Sequence, residues 1–231
     1  MTVISSPTTE AAPVTTPSGV RVAGLAGIAS AVLLFLGVAI LNPPLQADDT
    51  ELVAWWSDRT NQMTAAVSMY LFIASALLFL GFLSHLYARV RAADRTGPLA
   101  TMVLANGIAY ASALTVAAAA RGVIGKATAL NDQPLPGADT VRSLMELASV
   151  ALGVIAMLAI TATIVSFSYA ILRTNAFGRW LAWLGIICAV VLVAIQGLFV
   201  GELAIPAVLV WTIATSVAIW RARALPAGVT R

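Results

Sequence analysis

Six runs of mostly apolar residues, each about one bilayer long, dominate this 231-residue chain. A helix rises about 1.5 Å per residue, so about 20 residues cross about 30 Å of hydrocarbon. The runs extend approximately from Val22 to Leu41, Thr64 to Leu86, Leu99 to Ala120, Leu147 to Leu172, Trp180 to Val200 and Leu203 to Trp220. They are too uninterrupted to be the inward faces of amphipathic helices. Composition agrees, with 60% hydrophobic and 10% charged residues against about 45–50% and 25% in soluble domains. Inside hydrocarbon every backbone N–H and C=O needs a partner within the protein, which forces helices. The expected fold is therefore all-α, a polytopic transmembrane bundle of six helices over residues 21–223. Only Gly201 and Glu202 separate the fifth and sixth runs, which together far exceed one bilayer thickness and read as two helices joined by a tight turn.

Lys and Arg are retained on the cytoplasmic side more readily than they cross. With the N-terminus inside, nine basic residues fall in cytoplasmic segments and four (Arg59, Arg121, Lys126 and Arg142) outside. The acids divide the other way, two inside and eight outside, so the formal +3 separates into +7 within and −4 without. Both termini are thus expected in the cytoplasm of a multi-pass plasma-membrane protein. The high pI reports topology; no basic cluster with interleaved aromatics points to nucleic acid. Residues 1–20, rich in Thr, Pro and Ser with one charge, read as a disordered cytoplasmic tail, and residues 224–231 as a second, shorter one. Residues 1–20 lack the basic n-region of a secretory signal, and the apolar stretch after them is long for one.

The first outer loop opens on Asn42-Pro43-Pro44, which ends the first helix. Asp48 and Glu51 then have capping-box spacing, and Leu52, Trp55, Trp56 and Met63 fall on one side of a short amphipathic helix near Asp49 to Gln62. That helix is expected to lie at the outer interface with Trp55 and Trp56 as anchors among the headgroups. Trp180, Trp183 and Trp220 mark the inner interface in the same way, whereas Trp211 falls inside a span as a packing residue. The second outer loop, Arg121 to Glu146, carries turn signals in Asn131-Asp132-Gln133-Pro134 and Pro136-Gly137. Ser143 and Glu146 repeat the capping-box spacing. The loop either covers the outer mouth of the bundle, with Arg121, Arg142, Glu146 and Glu202 together, or is a solvated connection with local ion pairs.

A faint repeat relates Ser84-His85-Leu86-Tyr87-Ala88-Arg89-Val90-Arg91 to Ser166-Phe167-Ser168-Tyr169-Ala170-Ile171-Leu172-Arg173, both reading S-x-x-Y-A-x-x-R. It implies two parallel helical hairpins, the second and third helices resembling the fourth and fifth. In each copy Tyr suits the interface and Arg reaches inner-leaflet phosphates.

Ionisable groups within a span are costly and are the default functional candidates. No span carries Asp, Lys or Arg near its middle, which removes the usual carriers of proton coupling and a paired-aspartate protease. One Cys (Cys188) and one His (His85) exclude a disulfide framework, a Cys/His zinc site and a bis-histidine haem, so no cofactor, metal or catalytic set is expected. The candidate intramembrane polar sites are Asn106, Gln196 and His85. Asn106 and Gln196 are expected to bond between helices, or else to face a substrate. His85 reads as structural or interfacial; a nucleophilic pair would need Ser168 to approach it from another helix. Small residues four apart, at Gly27 and Ala31, Gly107 and Ala111, and Gly197 and Gly201, predict close helix contacts within the chain or with another membrane protein.

The segment Gly178-Arg179-Trp180-Leu181-Ala182-Trp183-Leu184-Gly185 resembles the R-W-L-x-W-L-G junction of small bacterial integral membrane proteins grouped as a domain of unknown function, many of them actinobacterial. The first outer loop, a short acidic helix running into the second span, is similar too, and the resemblance covers Arg21 to Arg223. Gly178 stands where a proline is frequent in such junctions. The resemblance implies a fold and assigns no catalytic or binding residue. Twelve Arg to one Lys and the high alanine content fit a high-GC source. The expected function is a non-enzymatic accessory or structural subunit of a membrane assembly, with the lipid bilayer and other membrane proteins as its partners. The alternative is a small permease for an apolar or zwitterionic solute lined by Asn106, Gln196 and the two hairpins. A third reading is an intramembrane lipid-modifying enzyme using His85.

Overall fold

The computed structural model describes residues 17–44, 48–94, 97–174, 177–197 and 204–221. Among them every regular element is a helix: α1 (Pro17–Ala39), α2 (Asp49–Ser57), α3 (Arg59–Ala93), α4 (Leu99–Gly125), α5 (Ala138–Ser149), α6 (Met157–Thr174), α7 (Arg179–Gly197) and α8 (Ile205–Arg221). Wider π-helical stretches continue α4 over Lys126–Leu130 and join α5 to α6 over Val150–Ala156. Five helical stretches are long and apolar enough to cross a membrane, and α8 is a shorter apolar one of 17 residues. At about 1.5 Å per residue α8 reaches about 25 Å, at the short end of what a span needs. The fold is the all-α polytopic bundle read from the sequence.

The long helices pack in a closed ring, in the order α1, α3, α4, α6, α7, α8 and back to α1. Its two ends differ in charge. Arg89, Arg91, Arg173, Arg179 and Arg221 gather at a basic end, and Asp48, Asp49, Glu51, Asp58, Asp132 and Asp139 at an acidic end. The ring encloses one continuous apolar core, with Phe72, Phe79, Phe82, Phe167 and Trp211 fully buried. Serines stitch α1 to α3: Ser30 Oγ donates to the Ser75 carbonyl (2.9 Å), Ser75 Oγ to the Ser30 carbonyl (2.8 Å) and Ser68 Oγ to the Gly37 carbonyl (2.7 Å). The close contacts expected at Gly27 and Gly107 are present, since a Cβ there would overlap Ser216 Oγ and Phe82, or Leu83. A Cβ on Gly197 would meet nothing within 4 Å among the described residues, and Gly201 lies outside them.

Helices overrun the apolar runs where polar residues can cap or pair them. The expected single helix from Asp49 to Gln62 divides at Asp58, whose backbone is extended (φ −75°, ψ 122°) and whose carboxylate accepts from Thr60 N at 2.7 Å, starting α3. Residues 59–62 therefore form the first turn of α3. Glu51 N donates to Asp48 Oδ1 at 2.8 Å, as the capping spacing predicts for α2. The second such spacing misplaces its helix: α5 begins at Ala138, and Ser143 sits inside it, donating to the Asp139 carbonyl. Asp132 takes the left-handed conformation (φ 49°) within the predicted turn, a role Asp tolerates because its short polar side chain can bond locally. The expected tail is helical from Pro17. Its first 16 residues, the tail at 224–231, and Gly201 and Glu202 lie outside the described residues.

Orientation is open to a direct test. In a Cys188→Ser background, Ser57→Cys and Ala93→Cys, both exposed at opposite ends of the bundle, should react with an impermeant thiol reagent from opposite sides of the membrane. Labelling from the same side would sink the six-span topology.

Candidate functional site

Two polar regions stand out, one capping the acidic end and one buried toward the basic end. The cap is a second apolar cluster of Leu41, Leu52, Trp56, Ala65, Ile124, Val141 and Met145, with Trp55 against its edge. Burying Leu, Val or Met side chains of this kind contributes about 1.5–3 kcal/mol each. Polar bonds tie its pieces together. Asn61 Nδ2 donates to the Trp55 carbonyl (2.9 Å), Gln62 Nε2 to the Trp56 carbonyl (2.7 Å) and Arg59 Nη2 to the Ala129 carbonyl (2.9 Å). Arg142 reaches Asp49 through both Nε (3.1 Å) and Nη2 (2.9 Å), joining α5 to α2.

Arg121 corrects the sequence reading most. Expected in an outer loop, it lies inside α4 and is buried, because the apolar residues from Val123 carry the helix on past Ala120. Its Nη2 donates to the Leu41 carbonyl at 3.0 Å, two residues beyond the end of α1, and its guanidinium sits over Phe72, 5.6 Å from the ring centre. A cation over an aromatic face in a desolvated site contributes about 2 kcal/mol or more. Beside it is a small cleft of about 70 Å³ lined by Asn42, Pro43, Met145 and Ser149. Glu146 is exposed, so the loop is held by local pairs, Arg142 with Asp49 and Arg59 with Asp132 (3.7 Å). Trp56 is a second correction: it is fully buried in the cap, packed edge-on to Trp55 with ring centres 5.0 Å apart, and so packs protein where a headgroup anchor was expected. Trp55 is half-buried, and Trp180 and Trp183 are each 58% exposed at the start of α7.

The buried region toward the basic end centres on Trp211. It stands edge-on to Phe82 of α3 (6.3 Å) and Phe167 of α6 (5.9 Å), while Phe79 meets Tyr110 of α4 at 4.7 Å. Around these rings His85 Nε2, Ser168 Oγ, Trp211 Nε1 and Thr215 Oγ1 are buried without a hydrogen-bond partner among the described residues. His85 and Ser168 therefore do not bond each other. Ser168 faces α7, where a Cβ on Gly185 would come within 2.1 Å of its Oγ. The nucleophilic pair that the third reading requires is not assembled in this arrangement.

No hydrogen bond links Gln196 to Asn106 among the described residues. Gln196 Nε2 donates to the carbonyl of Gly153, inside the π-helical stretch before α6. Widening a helix to i→i+5 displaces its carbonyls from their usual donors, and the glutamine side chain supplies one. Asn106 is half-buried on α4 and makes no side-chain hydrogen bond among the described residues. Sequence reasoning passed over Ser30, Ser68, Ser75 and the pair Gly122 and Gly125, all of which sit at helix contacts. Their signal was a hydroxyl or a glycine at an unremarkable place in an apolar run.

No protein-family model, curated protein or solved structure matches the chain. Its class is given by the bundle itself: a membrane protein of several apolar helices in contact with lipid.

Proposed function

We propose that the chain is a non-enzymatic accessory or structural subunit of a plasma-membrane assembly, with both termini in the cytoplasm. The observation that carries this reading is the filled axis of the bundle, where rings from α3, α4, α6 and α8 meet one another. A permease needs polar side chains along a common route, and Gln196 is engaged by a helix carbonyl on its own side of the ring. The cap supports the same reading from outside: Arg121, Arg142 and Arg59 hold α2, α5 and the end of α4 as one preformed surface above the membrane, and a preorganised surface loses little entropy on docking. The R-W-L-A-W-L-G junction supports placing the chain with the small actinobacterial-type membrane proteins it resembles.

Gentle extraction followed by native mass spectrometry tests the proposal. A second polypeptide in fixed stoichiometry is the expected result. A monomer or homodimer carrying a defined water-soluble small molecule would overturn it in favour of transport.

A further inference from the structure

A groove of about 430 Å³ opens sideways between α3 and α4, outside the packed core. Its walls are Leu77, Leu80, Leu104 and Ile108, and small residues, Ala76 and Ala111, keep its floor low. Leu77 and Ile108 are exposed, so the groove faces the surface that lipid covers. It runs from Ala76 to Ser84 on α3 and from Thr115 to Leu104 on α4. At about 1.5 Å per residue that is about 12–16 Å, the hydrocarbon depth of a single leaflet. The implied cross-section is about 30 Å², too narrow for an α-helix about 10 Å across but open to a single hydrocarbon chain.

The lining is more apolar than its residue types suggest. Ser84 Oγ donates to the Leu80 carbonyl (2.8 Å) and Thr115 Oγ1 to the Ala111 carbonyl (2.9 Å), so both hydroxyls are turned into their own helix. Ser112, exposed on α4, makes no side-chain hydrogen bond among the described residues.

Beyond Ser84 the same face of α3 continues, at helical spacings of three and seven, to Tyr87 and Arg91. Tyr87 is half-buried and Arg91 exposed. Arg91 makes no ion pair among the described residues, whereas Arg89, two positions away, is turned onto Phe177 with its guanidinium 5.5 Å from the ring centre. Thr101 lies on the matching face of α4, one turn beyond Leu104. Among the described residues, Asp94 is the acid that follows on α3, and its carboxylate lies against Gly97. An apolar slot one leaflet deep, ending at a tyrosine and an exposed arginine, is complementary to a lipid with an anionic head.

We infer that the α3–α4 groove is a binding site for one acyl chain of an anionic phospholipid in the leaflet at the basic end, its phosphate held by Arg91 and Tyr87. The site does not depend on the accessory role proposed above.

The full chain would be reconstituted with phosphatidylglycerol and phosphatidylcholine in equal amounts, and the lipids it retains counted by native mass spectrometry as activation is raised. One phosphatidylglycerol should outlast the rest. Ser112→Phe, which fills the groove from its exposed side, should reduce its retention about tenfold. Arg91→Gln should keep a lipid but abolish a headgroup preference of about fivefold. Leu77→Trp, at the exposed rim, repeats the blocking test should Ser112→Phe fail to fold. Equal retention in wild type and both blocking variants would overturn the proposal. So would a homodimer that Ser112→Phe dissociates, which would make the groove a protein contact.

Discussion

Replacing Gly125 with alanine should destabilise the bundle by about 3 kcal/mol, the top of the usual range for overpacking. Gly122 and Gly125 bring the acidic-end turn of α4 against the first turns of α3. A Cβ at 125 would stand 2.1 Å from the Gln62 carbonyl oxygen, 2.9 Å from Ala65 Cβ and 3.0 Å from Ala66 N. Two of these atoms are backbone, which cannot rotate aside as a flexible side chain can. The two helices must therefore part. Parting would also lengthen the bond from Arg59 to the Ala129 carbonyl and disturb the seat of Arg121 on Leu41. Alanine gains about 1 kcal/mol of helix propensity over glycine, which offsets only part of the loss. Gly197→Ala is the control, because a Cβ there meets nothing within 4 Å among the described residues, and it should lie within about 0.5 kcal/mol of wild type. Unfolding of both variants by sodium dodecyl sulfate titration would decide, and equal midpoints would refute the close-contact account.

Trp211→Ala is expected to cost a similar amount, about 3 kcal/mol, for the opposite reason. It removes the ring that Phe82 and Phe167 meet edge-on at 82° and 86°, and leaves a hole that three helices share. Core aromatic truncations in water-soluble proteins cost about 3–5 kcal/mol. The low end applies here, since an unfolded chain still in lipid keeps its apolar groups out of water and only packing is lost. Trp180→Ala, with a side chain 58% exposed, should change stability by less than about 1 kcal/mol. The same titration reads both, and a Trp211 variant as stable as the Trp180 variant would show that the rings do not hold the bundle together.

These two positions show how unevenly the molecule can be read from its sequence. The spans were legible because backbone satisfaction in hydrocarbon leaves a long apolar run only one regular structure. Asp48 was legible as a cap because its role is local, a carboxylate three residues before the N–H it accepts. Asp58 was not, since the same sequence is compatible with one helix through Gln62, and its two-helix solution depends on Trp55 and Trp56 offering their carbonyls to Asn61 and Gln62. Trp55 and Trp56 are adjacent and chemically identical, yet one is half-buried at the edge of the cap and the other is sealed within it. For the candidate sites the local chemistry was visible and the neighbours were not: Gln196 needed a partner, but nothing in sequence pointed to the Gly153 carbonyl, 43 positions away.

The sequence by itself determined that this chain forms a bundle of apolar helices with opposite charge at its two ends, because span length, backbone pairing and charge are properties of a segment alone. Only the tertiary structure decided which faces meet: Gly27, Gly107, Gly122 and Gly125 in contact, Arg121 buried, and a groove left between α3 and α4. The reason is that lipid solvates an apolar side chain about as well as a protein interior does. A helix that is apolar all round thus carries no stripe to announce its partner, and the choice falls to shape and to the few polar atoms that must be satisfied.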